Sequence, residues 1–237
     1  MNIIYKDDTE STNLDAKRLA QDGAPEWTVV SARRQSGGRG RLGRSFFSPE
    51  GGLYLSVILR PTMTGDTVTL LTTAAAAAMS RAIESVFKKD TKIKWVNDIY
   101  IDGRKVCGIL TETAFCGAAL DYAIVGVGVN LYRGDTAVPK ELENIMGFVC
   151  DSPDCKGETL TNAFLAAFKE YYDSLTQKPH LTYYKKKQLI KNTPVTVLQN
   201  GNETAALAME IDDNFHLRVC MGEKETTLLF GEVSVRL

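Results

Sequence analysis

Residues 33–47 read RRQSGGRGRLGRSFF. Five arginines and four glycines lie between Arg33 and Arg44, with no acid among them. That composition makes a loop and aims it at an anion. Glycine lets the backbone approach a ligand closely and adopt positive φ. Arginine presents a planar fork to phosphate or carboxylate. Packed this densely, the guanidinium groups repel one another unless something negative joins them. The competing reading is a solvated basic turn, since charge runs are usually surface.

The flanks fix where this loop can sit. Residues 27–32 (WTVVSA) and 53–59 (LYLSVIL) are strands, the second apolar enough to be buried on both faces. The loop is therefore suspended between two core strands, a rigid mounting for a site. A chain of 237 residues makes one large domain, or one with a small appendage. Its net charge of -1 makes the arginine loop a local feature, without the wide basic excess of a general nucleic-acid binder. The five cysteines form no CxxC pair, and His180 and His216 lie far from them. Neither structural zinc nor a disulfide framework is expected, and a reduced, cytoplasmic setting is. The first ten residues, MNIIYKDDTE, lack the apolar core of a signal peptide. The most apolar helical stretch, residues 70–79, is short of the roughly 20 residues of a membrane span.

In chain order, residues 3–5 are a short strand candidate. Ser11 or Thr12 then caps a helix that Gly23 and Pro25 stop. Capping alone is the preferred reading there; a polar ligand site at the helix N-terminus is the sharper one. Residues 64–89 contain a long helix whose Leu70, Leu71, Ala74, Ala78, Ile83 and Phe87 share an apolar face. Its alanines allow close approach to a sheet. Residues 92–95, 99–101 and 105–113 are strands, the last two joined at Asp102-Gly103, a favoured hairpin pair. Gly108, and Gly126 and Gly128 within the strand 122–131, weaken the strands that hold them. A bulge, a tightly packed helix or a flat ligand would each explain them. Residues 139–145, 160–176 and 181–190 are helical by pattern. From residue 194 on, five short strands (194–198, 204–211, 217–221, 225–229 and 232–235) are separated by turns such as Asn200-Gly201. They read as a small appended barrel.

Four separated stretches, in this order, carry a resemblance. They are Ser11-Thr12-Asn13; the run GRGRLGR at residues 38–44; KWVND at 94–98 with RKVCGIL at 104–110; and GVGVNL at 126–131. Together they resemble the biotin–protein ligase family, and the likeness runs over nearly the whole chain. The implied fold is α+β. A mixed or antiparallel sheet backed by helices, of the class II synthetase-like biotin/lipoate ligase kind, occupies residues 1–190, and an SH3-like barrel occupies 191–237. The implied chemistry has two steps. Biotin's carboxylate attacks the α-phosphate of ATP to give biotinyl-5′-AMP and pyrophosphate. A lysine of the biotin carboxyl carrier protein of acetyl-CoA carboxylase then attacks the mixed anhydride and releases AMP. Two anions must be brought together, which calls for arginine, lysine and Mg²⁺. No Ser, Cys or His nucleophile is needed.

The resemblance also implies roles. Ser11, Thr12, Asn13 and Gln35 would meet the polar atoms of biotin. Gly38 and Arg39 would lie beside its ring and carboxylate, over a bed of Gly108, Leu110 and Gly126. Lys105 would bridge the carboxylate and the α-phosphate as the leading catalytic group, with Arg39 and Arg41. Arg41, Arg44, Phe46, Asn97 and Val127 would line the nucleotide side, with Asn130 reading adenine and Asp98 helping to place Mg²⁺. The loop would order once both charges are present.

Two residues depart from the family pattern. Val96 stands where the family usually has proline, which leaves that turn less fixed. Phe46 stands where it often has tryptophan, and can still stack. The lipoate–protein ligases are the nearest rival, because RRxSGG also begins their motif. They continue with a third glycine and a histidine–aspartate pair, and this chain does not. A DNA-binding repressor is the rival from another class. With Ser11 so near the start, no winged helix-turn-helix and no DNA binding are expected, nor any membrane. A homodimer is compatible with the fold's exposed sheet edges.

Overall fold

The computed structural model describes residues 1–62, 67–117, 119–153, 156–199, 202–229 and 232–234. The main sheet is built from β1 (Asn2–Thr9), β2 (Thr28–Gln35), β3 (Gly52–Leu59), β4 (Lys92–Lys94), β5 (Asp98–Ile101), β6 (Arg104–Cys116) and β7 (Ala119–Asn130). Their order across the sheet is β1-β2-β3-β7-β6-β5-β4. The β1–β2 pair is parallel and the rest are antiparallel. The sheet is mixed, as the resemblance implied. β3 lies near the middle, and its run from Leu53 to Leu59 is buried throughout. A strand covered on both faces has no use for polar alternation.

Helices cover the two faces differently. On one face lies α1 (Thr12–Gln21), which buries Ala16 and Ala20 against Val30, Ile58 and Ile124. On the other lies α2 (Thr67–Phe87), packed between the sheet and α3 (Gly157–Tyr172). Ala74 through Ala78 are fully buried, so α2 is enclosed on more sides than one apolar face would require. Small side chains let the sheet and α3 both come close. α3 contributes Phe164, Leu165 and Phe168 to this core, and Leu175 follows in a 3-10 turn at Leu175–Gln177.

Three expected helices are shorter than their patterns. Residues 139–145 hold only a 3-10 turn, Lys140–Leu142. The segment from 160 to 176 stays α-helical only to Tyr172. The third, α4 (Leu181–Lys186), stops four residues early. There Gln188 bridges Ile93, and the chain becomes an extra ribbon along the edge at β4.

Past residue 192 come β8 (Thr193–Gln199), β9 (Asn202–Ile211), β10 (Leu217–Met221), β11 (Lys224–Leu228) and β12 (Glu232–Ser234). They form an antiparallel sheet in the order β11-β10-β9-β8-β12. Among the described residues β11 and β12 are its two unpaired edges. The sheet is thus open where a closed barrel was expected. Its core merges with the main one: the Trp95 indole Nε1 donates to the Phe215 carbonyl at 2.8 Å, and the Phe215 ring stacks on His180 at 4.5 Å.

Residues 64–66, Asn200-Gly201, Val235 and Cys155 lie outside the described residues. Cys107, Cys116 and Cys220 are free thiols. Cys150 is disulfide-bonded, which the cysteine spacing gave no reason to expect. Among the described residues no helix is long and apolar enough to cross a membrane.

Candidate functional site

On the α1 face, β6 and β7 pair Gly108 with Gly128 and Leu110 with Gly126. Three missing side chains in one patch leave a floor low enough for other groups to lie on the backbone. A β-carbon at Gly126 would collide with the Asn13 amide, and one at Gly128 would come within 2.6 Å of the Phe46 ring. The strand glycines therefore serve close packing by the start of α1 and by the residue after the arginine loop. Gly126 lines the cavity, and its missing side chain admits the Asn13 amide beside it.

One wall is the N-terminus of α1. Ser11 precedes the helix with extended backbone but makes no side-chain cap hydrogen bond, which corrects the preferred capping reading. The Thr12 amide and hydroxyl both donate to Gln35 Oε1, at 2.8 and 3.1 Å. The hydroxyl of Ser56, buried in β3, is shared between Thr12 Oγ1 and Asn13 Oδ1. Gln35 in turn is held by Ser48 at 2.9 Å. These polar groups are fixed by one another at the rim of the cavity, with Ser11 beside them.

The roof is the arginine loop. It folds as a small hairpin: Arg39 bridges Ser45, the Gly40 amide donates to the Arg44 carbonyl at 2.7 Å, and the Phe46 amide donates to the Gly38 carbonyl at 2.8 Å. Its tip takes positive φ at Leu42 (54°) and Gly43 (75°). Gly38 does not line the main cavity, in contrast to its expected place beside the biotin ring. Its missing side chain lets the hairpin base close on the Phe46 carbonyl and Ser48, and it faces a second, more open groove outside.

The five arginines divide. Arg33 pairs with Glu50 and Asp7, and Arg34 with Asp8, on the exposed surface. Arg39, Arg41 and Arg44 line the cavity. Arg41 donates to Asn97 Oδ1 at 3.1 Å, and Asn97 Nδ2 donates to the Ile109 carbonyl at 2.9 Å. Lys105 Nζ lies 2.7 Å from Asp98 Oδ1 and 5.9 Å from the centre of the Phe46 ring. Three arginines, a lysine and an aromatic face thus converge on one floor.

Asn130 stands apart from this cavity. Its Nδ2 donates to the Lys105 and Gly147 carbonyls at 3.2 Å each, and its Oδ1 is buried without a partner. It pins the backbone of Lys105 to the segment beyond β7 and retains one acceptor for another donor. The remaining expected residues, Leu110 and Val127 among them, do line the cavity. So do Lys94, Trp95, Gly128 and Leu198, which sequence reasoning did not assign to it. Glycine-in-strand was a usable signal for Gly128. Leu198 had none, because it reaches the site from the C-terminal sheet.

Among the described residues, no cluster of three or more His, Cys, Asp or Glu could hold a metal ion. Asp98 is the one carboxylate among the cavity's described lining. Cys107, on β6 behind the floor, is fully buried, and burial pushes its thiol well above the ordinary range. The arrangement can bind and orient anions and stabilise charge.

Comparison with known proteins agrees. The biotin/lipoate A/B protein ligase family pattern matches residues 5–130. The bifunctional ligase/repressor BirA of Bacillus subtilis is 41% identical over 145 residues, 61% of this chain and 45% of that protein. This chain therefore spans about half the length of that relative. The biotin–[acetyl-CoA-carboxylase] ligase of Mycobacterium tuberculosis is 26% identical over 95% of this chain and 85% of its own. Among solved structures, a biotin protein ligase from Aquifex aeolicus in complex with biotin and ATP superimposes with a TM-score of 0.83. The identity is 26%, over 99% of this chain and 98% of that one.

Proposed function

This chain belongs to the biotin/lipoate A/B protein ligase family, and from that premise we propose that it is an ATP-dependent biotin–protein ligase. Biotin's carboxylate would attack the α-phosphate of ATP, forming biotinyl-5′-AMP and releasing pyrophosphate. The ε-amine of an acceptor lysine would then take the biotinyl group and release AMP. We place the acceptor on the biotin carboxyl carrier protein of acetyl-CoA carboxylase and the reaction in the cytoplasm.

The observation that carries this reading is the convergence of Lys105, Arg39, Arg41 and Arg44 over the Gly108–Gly128 floor, with the fixed polar wall of Thr12 and Gln35 at one end. A ring bearing a ureido group suits that wall, and its carboxylate would point towards Lys105. Lys105 would lower the repulsion between carboxylate and α-phosphate, and the arginines would hold the charge that develops. Folding of the hairpin over both would keep water from the anhydride. Asn130 would read adenine, which requires the nucleotide to reach past the cavity's lining to its unpaired Oδ1. Mg²⁺ supplies charge neutralisation when it enters with the triphosphate, and one protein carboxylate suits an ion that keeps most of its waters. Asp98 would hold it. Residues 1–190 would form the catalytic unit, and 191–237 the counterpart of an SH3-like barrel. A homodimer through an exposed sheet edge fits the same reading.

The test is incorporation of labelled biotin, against labelled lipoate, into purified acceptor domains with ATP and Mg²⁺. Biotin transfer with AMP release is expected. Lipoate transfer without biotin transfer would overturn the reading.

A further inference from the structure

We propose that Glu112 is a positioning residue that ties the arginine hairpin to the α1 wall, holding Asn13 with one carboxylate oxygen and Arg39 with the other. Glu112 Oε2 accepts from Asn13 Nδ2 at 2.7 Å, and Oε1 lies 3.4 Å from Arg39 Nη1.

Asn13 is 5% exposed. Its Oδ1 already accepts from Ser56 at 2.6 Å, so with Glu112 both ends of the amide are committed. Rotation would leave a buried donor or acceptor unpaired. The missing β-carbon of Gly126 makes room for this orientation. Arg39 is the opposite kind of partner. It is half-exposed, on the first strand of the hairpin, opposite Ser45. Glu112 therefore joins a fixed wall to a loop held mainly by its own short hydrogen bonds. It sits on β6 across from Ile124, beyond Leu110 on the same face, at the wall end of the cavity.

The consequence is a division of labour within one carboxylate. The bond to Asn13 sets the wall against which biotin would lie, and this half rests on the ligase reading. The charge on Arg39 biases the hairpin towards its folded position, and this half does not.

The experiment uses the full chain and two variants, Glu112→Gln and Glu112→Leu. Glutamine keeps an acceptor for Asn13 and loses the charge; leucine loses both. Two quantities are read. One is the amide exchange of Gly40 and Phe46, the hairpin's own donors, in unliganded protein. The other is the biotin dissociation constant by calorimetry. Glu112→Gln should speed exchange about threefold, the scale of a partly exposed ion pair, and leave biotin affinity within about twofold. Glu112→Leu should speed exchange as much and weaken biotin binding about tenfold, because a buried amide loses its partner. Recovery of affinity by glutamine without recovery of hairpin protection is a split that general destabilisation would not produce. Unchanged exchange in Glu112→Gln overturns the tie to Arg39. Unchanged biotin affinity in Glu112→Leu overturns the role at the wall. Wild-type protein that does not bind biotin overturns the ligase reading and the wall role with it, while exchange still decides the tie. If Glu112→Leu does not fold, the glutamine variant alone decides: it must show the faster exchange with affinity kept, and any other result overturns the proposal.

Discussion

The Phe46 ring occupies the space that a β-carbon would take at Gly128, with Cε1 only 2.6 Å from that position. The same ring lies under the Lys105 ammonium, 5.9 Å from its centre, and edge-on to Tyr54. One glycine therefore sets the height of the aromatic face against which a nucleotide would stack.

Gly128→Ala should separate site geometry from stability. The colliding atoms are the far end of a half-buried side chain, which can swing away, so the stability cost should stay near ~1 kcal/mol. The swing lifts Phe46 off the floor and disturbs the base of the hairpin. ATP affinity should fall about tenfold while the melting temperature moves by a few degrees. Calorimetric titration and thermal unfolding on the same sample check this; intact ATP binding would refute the role given to the floor.

How far the sequence was legible shows in these residues. Glycine inside a strand announced close approach at Gly108, Gly126 and Gly128, but could not say that Asn13 and Phe46 were the approaching groups. The arginine run announced an anion site. It could not show that Arg33 and Arg34 neutralise surface acids, since Asp7 and Asp8 are brought alongside by the parallel register of β1 on β2 and Glu50 by the turn before β3. Glu112 was invisible, because its link to Asn13 spans 99 residues and exists only in the assembled sheet. Helix lengths failed at residues 139–145, where the chain makes a 3-10 turn and Lys105 then captures it at Ile145 and Met146, and at 181–190, where Ile93 draws Gln188 into a bridge. Tertiary hydrogen bonds there outweigh a weak local preference.

Lys105→Ala should lower the rate of biotinyl-AMP formation by about 10²–10³-fold, the scale of removing one preorganised charge from a transition state. The fold should barely notice, since the Lys105–Asp98 pair is part-exposed and such pairs contribute at most about 1 kcal/mol. Single-turnover detection of the adenylate measures the first effect and a urea titration the second. Normal adenylate formation would remove Lys105 from the centre of the mechanism.

Arg41→Gly should act on retention more than on formation. Arg41 fastens the hairpin to Asn97, which is itself fixed to the Ile109 carbonyl. Without that fastening the roof opens more often, and biotinyl-AMP should leave about tenfold faster, the scale of losing a charge-assisted hydrogen bond. Stopped-flow release of the adenylate from wild-type and variant protein tests it. Equal release rates would mean that the hairpin does not cover the product.

Stability should fall as the solution is acidified from about pH 6.5, and His180 should be the reason. This ring is fully buried, shares a hydrogen bond with Thr73 at 3.0 Å and stacks on Phe215. Burial pulls its pKa from 6.5 down to about 3. Between these values the unfolded chain binds a proton that the folded chain refuses, so acid favours unfolding. The stabilisation is complete above pH 6.5, declines as pH falls, and is gone near pH 3. At about pH 5 the loss should be on the order of 2 kcal/mol. The depressed carboxylates Asp15, Glu84 and Asp90 add their own acid sensitivity only nearer their ordinary range, so the window of about pH 5–6.5 isolates the histidine. His180→Phe keeps the stack and cannot take the proton. It should flatten the stability profile in that window, measured by urea unfolding at half-unit steps. Because His180 lies where α4 meets the C-terminal sheet, fluorescence of Trp95, which donates to Phe215, should report the same midpoint as circular dichroism of the whole chain. Separate midpoints, or a slope unchanged in His180→Phe, would show that the two sheets do not share the cooperative unit their common core implies.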